Sequence, residues 1–194
     1  MSTAAPRPRI EPVIVSDEFT VVGLYHSTHG EEQNYQSEAA LEDDLIKQLC
    51  AQAYEYADIH DRDGLEANLR VQLEALNDYR FSDSEWKRFY DQCIVAYPPG
   101  EPNPVIAKGR RIQEDYVQVL TRDDGTKKNI RLIDKVNIHR NSLQVIKQYT
   151  VSSGARTNRY DVTILVNGLP LVHVELKRRG VKLREAFNQI NRYH

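Results

Sequence analysis

The segment Tyr97–Pro104 carries four prolines in eight residues and divides the chain into two parts with different sequence periodicity. Proline lacks an amide hydrogen and fixes φ, so helices and strands rarely continue through such a segment. Before it, apolar residues recur at helical spacing, whereas after it apolar and polar residues alternate. The sequence therefore predicts a strand plus helical portion over residues 13–97, a proline-rich hinge over 98–107 and a sheet with a helix over 108–194.

The length and composition favour one soluble domain. The 194 residues suffice for one buried core and are few for two. Because neither half has an obvious core of its own, residues 13–194 are expected to form one domain behind a flexible leader at 1–12. No apolar run approaches the length that spans a bilayer. Cys50 and Cys93 have no Cys or His at ligand spacing, which favours free thiols in a reducing cytoplasm.

Local signals predict the individual elements. A strand is expected over Phe19–Tyr25, followed by a helix capped by Ser37, a second helix over 65–77 and a third opened by a capping box from Ser82 to Glu85. A last helix is predicted over Lys182–Tyr193. Alternation after the hinge predicts five strands. They are Tyr116–Leu120, Ile130–Ile133, Leu143–Tyr149, Tyr160–Val166 and Leu171–Lys177, and an Asp-Gly loop joins the first two.

Charge is distributed unevenly along the chain. The net charge is only −2, yet residues 31–66 carry a balance of −9 and residues 108–194 a balance of +10. Clustered Lys and Arg bind nucleic acid by releasing counterions from the phosphates. A charged face is also commonly just solvated, so charge alone leaves the function open.

The segment 158–180 is the most informative because its apolar residues fix how its two strands pair. A two-residue Asn167-Gly168 loop would mix polar and apolar partners. A three-residue loop, Asn167-Gly168-Leu169, instead sets Val162 opposite Val174. A shift of one residue inverts every side chain, so the sorted register is preferred.

In that register Asp161 lies across from Glu175, and Lys177 follows two residues later. Cross-strand Cβ atoms are about 4.5–5.5 Å apart, so both carboxylates can bind one cation, with the Leu176 carbonyl as a further oxygen ligand. Such ligands suit Mg²⁺, and Mn²⁺ can substitute. A carboxylate-bound metal activates water for phosphodiester hydrolysis, and Lys177 can position that water, deprotonate it or stabilise charge. The alternative is an ordinary solvated face.

The predicted last helix adds to this pattern. Gln189 and Tyr193 share one of its faces, and an apolar stripe can dock the helix on the sheet. His173 falls on the same strand face as Glu175 and can contact DNA or a second metal, or be a solvated filler. Positive charge surrounds the proposed metal site and suits a phosphate backbone. The candidate DNA-binding residues are Lys177, Arg178, Arg179, Lys182, Arg184, Gln189 and Arg192.

The combination of Asp161, Glu175-Leu176-Lys177 and Gln189 to Tyr193 resembles the PD-(D/E)xK nuclease superfamily with the QxxxY element of its RecB-like branch. The segment NRYDVTILVNGLPLVHVELKRRGVKLREAFNQINRYH is similar in sequence to the N-terminal nuclease domain of the HsdR (R) subunits of type I restriction enzymes. YQSEAALEDDLI, FSDSEWKRF and LIDKVNIHRNSLQVIKQY extend this similarity over most of residues 19–194.

The resemblance implies an α/β fold, a restriction-endonuclease-like mixed sheet flanked by helices and preceded by a helical N-terminal portion. It implies Asp161 and Glu175 as metal ligands, Lys177 as the catalytic lysine, and Gln189 and Tyr193 as supports in the active site. The implied substrate is double-stranded DNA, and the implied partners are methyltransferase (M) and specificity (S) subunits. Glu38 or Glu42 can approach the metal, although complementing the helix dipole is the favoured explanation for both.

The sequence departs from the superfamily pattern at two points. Tyr160 replaces the proline before the first acidic residue. The chain also ends at the helix after Glu175-Leu176-Lys177, so the last core strand is expected to be missing, together with the phosphate loop of an ATP-driven motor. We therefore expect a fragment that does not cut alone and that depends on ATP only through the absent motor. A non-catalytic DNA-binding or subunit-docking module that keeps the scaffold is the alternative.

Overall fold

The computed structural model describes residues 9–15, 21–26, 37–96, 104–153 and 156–177. The chain divides into two compact units, residues 1–35 and residues 36–194, and each is described by itself. The extent of the predicted endonuclease domain, residues 13–194, remains a prediction.

The first unit contains an antiparallel hairpin of β1 (Arg9–Val15) and β2 (Val21–His26). Its pairing shifts between Pro12 and Ile14, as expected where a proline has no amide hydrogen to donate. β2 confirms the predicted strand, with its ends moved by one or two residues. The predicted flexible leader is wrong over residues 9–12, since these belong to β1.

Three helices of the second unit begin directly after a residue whose side chain caps the helix N-terminus. Helix α1 spans Glu38–Cys50, and the hydroxyl of Ser37 accepts from the Ala40 amide. Helix α2 spans Arg62–Asn77, and helix α3 spans Asp83–Phe89 behind the predicted capping box. A π-helical turn, Tyr90–Val95, extends α3. None of the helices in the described residues is long and apolar enough to cross a membrane.

Helix α4 spans Pro104–Gln113 and occupies part of the predicted hinge. Its first residue is a proline, the position where a missing amide hydrogen removes no helical hydrogen bond. The prediction of a hinge through residue 107 is therefore wrong over 104–107. Residues 97–103 lie outside the described residues.

The strands of the second unit form a mixed sheet and a separate hairpin. The sheet has the order β3 (Glu55–Tyr56), β6 (Leu143–Ser153), β7 (Arg156–Val166) and β8 (Leu169–Val174). β3 runs parallel to β6, and the other neighbours are antiparallel. The hairpin pairs β4 (Val117–Thr121) with β5 (Lys127–Arg131). The predicted mixed α/β class is confirmed.

One apolar cluster joins the helical portion to the strand-rich portion. It packs Leu73 of α2 and Phe89 of α3 against Leu120 and Ile130 of the β4–β5 hairpin. Phe81 and Trp86 meet edge to face, with ring centroids 5.3 Å apart. Burial of these side chains from both parts of the sequence supplies the hydrophobic stabilisation of the unit.

Candidate active site

The β7–β8 turn has two residues, so the predicted three-residue loop is wrong. Asn167 and Gly168 have φ values of 51° and 80°, and Val166 pairs with Leu169. Two left-handed residues match the twist of the flanking strands. A Cβ on Gly168 would lie 2.6 Å from Cα of Leu69, so this turn admits only glycine there.

The predicted register is nevertheless confirmed where it affects the site. Val162 pairs with Val174 and Thr163 with His173. The loop is one residue shorter than predicted, and an irregularity in the pairing between Ile164 and Leu165 compensates for the difference. A β-bulge of this kind shifts the pairing by one residue. Continuing the register sets Asp161 opposite Glu175.

The structure brings Asp161, Glu175 and Lys177 together as predicted. Asp161 is 6% exposed, and its Oδ2 accepts from the Leu176 amide at 2.8 Å. The Glu175 side chain is 5% exposed, and its Oε1 lies 2.5 Å from the ammonium of Lys177. The two carboxylates are buried and Lys177 is half-buried, an arrangement that favours a built site over an ordinary solvated face.

Burial sets the electrostatics of this cluster. The pKa of Glu175 is raised, first by burial and then by the neighbouring Asp161 carboxylate, although Lys177 opposes the shift. Burial lowers the pKa of Lys177, but its hydrogen bond to Glu175 and the nearby negative charges outweigh burial, so the net pKa is raised. Two adjacent buried carboxylates rarely carry two negative charges unless a cation lies between them, and without a cation they tend to share one proton. Lys177 remains an ammonium at neutral pH.

The residues present fit a magnesium or manganese ion. Among the described residues no group of three acidic, His or Cys side chains could hold a metal. Mg²⁺ does not require one, since it keeps several water ligands and is commonly bound by one or two carboxylates together with substrate phosphates. Asp161 and Glu175 supply such a pair. Leu176 contributes its amide to Asp161, and the predicted role of its carbonyl remains a prediction.

Helix α1 contributes acidic residues to this region. Glu38 Oε2 lies 4.0 Å from the ammonium of Lys177. Glu42 is 5% exposed, and its Oε2 accepts from the side-chain amide of Gln148 at 3.1 Å. Complementing the helix dipole does not explain a buried carboxylate bound to another element, so Glu42 has a specific place beside the sheet.

Gln148 is the residue that sequence reasoning missed. It lies inside β6 with φ of 53°, and β6 pairs with β7 so that position 148 falls opposite Asp161. Glutamine has no preference for this conformation, and no local motif marks the position.

His173 is bound by its neighbours on the sheet. Its Nδ1 lies 2.9 Å from Oγ1 of Thr163, and its ring stacks on Tyr160 with centroids 4.0 Å apart. These contacts are those of a side chain packed on a sheet, which favours the interpretation of His173 as a filler over that of a ligand.

The remaining predicted site residues lie outside the described residues, as does the predicted helix Lys182–Tyr193. Their roles stay predictions. They are Arg178, Arg179, Lys182, Arg184, Gln189, Arg192 and Tyr193.

The sequence comparison now bears on this site. Residues 35–194 match the family model described as the type I restriction enzyme R protein N terminus. The chain belongs to this family. The match includes Asp161, Glu175 and Lys177, and it confirms the resemblance to the N-terminal domain of HsdR subunits.

Members of the family with curated names include an Escherichia coli protein, the type I restriction enzyme EcoprrI endonuclease subunit. It is 46% identical over 184 residues, which cover 94% of this chain and 57% of the relative. The SauMSSORF170P endonuclease subunit of Staphylococcus aureus strain MSSA476 is 38% identical over 82% of the chain and 17% of the relative. The chain therefore spans between about a sixth and somewhat more than half of these relatives.

Proposed function

We propose that Asp161, Glu175 and Lys177 form a Mg²⁺-dependent endonuclease centre in a PD-(D/E)xK fold that cleaves double-stranded DNA. The observation that carries this proposal is a pair of adjacent buried carboxylates with a lysine ammonium 2.5 Å from one of them. The names of the relatives, which are endonuclease subunits, support the class of reaction.

Asp161 and Glu175 would hold the cation. When bound, a divalent metal polarises a phosphoryl oxygen and lowers the pKa of its water. Lys177 is charged at neutral pH, since its pKa is raised. We therefore assign it to orienting water or stabilising charge on the phosphate rather than to removing a proton.

The wider assembly is also a proposal. The basic balance of residues 108–194 suits a DNA backbone. Methyltransferase and specificity subunits are the proposed partners, as the resemblance drawn from the sequence implies. ATP would act through a motor region, in keeping with the resemblance drawn from the sequence.

Calorimetric titration of Mn²⁺ into the chain tests the ligand assignment. Wild type should bind, and Asp161→Ala should lose binding because one of two carboxylates is gone. Asp58→Ala is the matched control, since Asp58 is 79% exposed and pairs with His60 in a surface contact. Equal binding by wild type and Asp161→Ala would exclude Asp161 as a ligand.

Catalysis needs a second test in the full-length assembly. Lys177→Ala should abolish DNA cleavage while leaving ATP hydrolysis unchanged, because the lysine acts on the phosphate and not on the motor. Cleavage that survives this substitution would locate the nuclease centre elsewhere. An assembly in which neither wild type nor variant cleaves would favour the non-catalytic module.

A further inference from the structure

Residue 148 interrupts the alternation of β6 at the level of the acidic pair. In a regular strand, residues separated by an odd number lie on opposite faces. Ile146 and Tyr149 nevertheless share one apolar cluster, and so do Tyr160 and Leu165 of β7. The alternation therefore switches in both strands at the level of Gln148, whose φ is 53°.

The switch lets two consecutive residues of β6 contact the same helix. Lys147 donates to Asp43 of α1 at 3.0 Å, and Gln148 donates to Glu42 at 3.1 Å. Neighbours in a regular strand point to opposite faces, and the left-handed residue accounts for both contacts on one side. A left-handed residue other than glycine is strained, and such strain persists only where the surroundings hold it.

The contact binds a buried carboxylate to the β6 residue that the register sets level with Asp161. Gln148 stands opposite Asp161 in the β6–β7 pairing. Glu38, one turn before Glu42 on α1, lies 4.0 Å from Lys177. Glu38 and Glu42 of α1 therefore contact two residues, Lys177 and Gln148, that neighbour the acidic pair.

We infer that Gln148 is a positioning residue, which uses its left-handed backbone to hold the Glu42 carboxylate toward the cation site of Asp161 and Glu175. This inference rests on the proposed function. Glu42 does not complete a group of three direct ligands among the described residues. Mg²⁺ and Mn²⁺ keep water ligands, so Glu42 acts by accepting hydrogen bonds from that water. Partners of this outer kind tune metal affinity about 10- to 100-fold.

The test is a double-mutant cycle read by Mn²⁺ calorimetry on the whole chain. Gln148→Gly keeps the left-handed backbone and removes the amide, so Mn²⁺ should bind about tenfold more weakly. Glu42→Gln should weaken binding at least as much. Because Gln148 acts through Glu42, the double variant should bind like Glu42→Gln alone.

Asp78→Gly is the matched control. Asp78 also has a positive φ, of 47°, but it caps the far end of α2, so its Mn²⁺ affinity should equal that of wild type. Thermal unfolding of each variant checks the fold. If Gln148→Gly does not fold, Gln148→Asn replaces it, since Asn tolerates this backbone and draws the amide back by one methylene, which should also weaken binding.

The inference is overturned if Gln148→Gly binds Mn²⁺ like wild type, or if the two substitutions weaken binding independently. Loss of binding in Asp161→Ala with unchanged binding in Gln148→Gly removes this inference and leaves the proposed function standing. Unchanged binding in Asp161→Ala removes both.

Discussion

Buried carboxylates lie in two regions of residues 36–194, and their pKa values are shifted in opposite directions in the two regions. Burial raises the pKa of Glu85 on α3, but the amide hydrogen of Asp123 and the hydroxyl of Tyr79 outweigh it, so the net pKa is lowered. The pKa of Glu175 is raised, first by burial and next by Asp161, despite Lys177. The first carboxylate is satisfied by donors from the protein itself, and the second leaves room for a cation.

Asp134 belongs with Glu85. It is 3% exposed and accepts from the amides of Val136 and Asn137. Its pKa is lowered, chiefly by the Asn137 amide. Carboxylates with several backbone donors order a loop or a helix end. The comparison thus separates carboxylates that maintain the fold from those available for chemistry.

The largest expected effect lies in the shared apolar cluster. Phe89 is 1% exposed, and Phe89→Ala should lower the free energy of unfolding by about 3–5 kcal/mol through lost contacts and a cavity. Urea unfolding followed by circular dichroism measures it. Val136→Ala is the control, since Val136 is 92% exposed, and its stability should stay within about 0.5 kcal/mol of wild type. A similar loss in both variants would contradict this assignment of the core.

The two hairpin turns should differ although their glycines share a backbone conformation. Gly168→Ala should lower the free energy of unfolding by more than about 2 kcal/mol, because the added Cβ meets Leu69 and φ is 80°. Gly125 in the β4–β5 turn has φ of 81° and nothing within 4 Å of an added Cβ. Gly125→Ala should therefore lose only the backbone contribution, about 1 kcal/mol. Equal losses in chemical denaturation would mean that the close approach to Leu69 has no energetic effect.

Neutralising one carboxylate in each region should change stability with opposite signs. Glu85→Gln should lose about 1–3 kcal/mol, because buried donors lose an ionised acceptor. Asp161→Asn should gain up to about 1 kcal/mol without metal, since the charge repelling Glu175 is removed while the Leu176 amide keeps an acceptor. Unfolding in the presence of a chelator measures both. Destabilisation of similar size in both variants would remove the distinction between the regions.

Acid should lower the free energy of unfolding through Asp123, which lies beside Glu85. Hydrogen bonds from Ser82, Arg88 and Ser84 lower its pKa to about 2, below the unfolded value of about 3.9. A depressed pKa means that the stabilisation is complete above about pH 4 and is lost as the pH falls toward 2. Unfolding midpoints between pH 5 and 2 should thus fall less for Asp123→Asn than for wild type. Parallel profiles would show that Asp123 does not contribute.

The sequence predicted most helices and strands because their signals are local. Ser37 and the capping box from Ser82 to Glu85 mark helix starts that the structure reproduces. Helix α4 was missed because prolines suggested a break, although Pro104 occupies the one helical position that tolerates proline. Strand β1 was not predicted, because Pro12 interrupts the pattern of residues that indicates a strand.

The site was predicted in part. Sorting apolar partners placed Asp161 against Glu175 correctly. The predicted loop length was wrong because a β-bulge lies between the turn and this pair of residues. No sequence signal marked the bulge. The conformation of Gln148 and the burial of Glu42 depend on contacts between α1 and β6. Such contacts join residues more than a hundred positions apart, so local patterns do not contain them.

Anomalous scattering from crystals of the chain grown with Mn²⁺ tests the central claim most directly. The account predicts a peak between the carboxylates of Asp161 and Glu175, with metal–oxygen distances of about 2.1 Å. Saturating Mn²⁺ that gives peaks elsewhere and none at this pair would contradict the account.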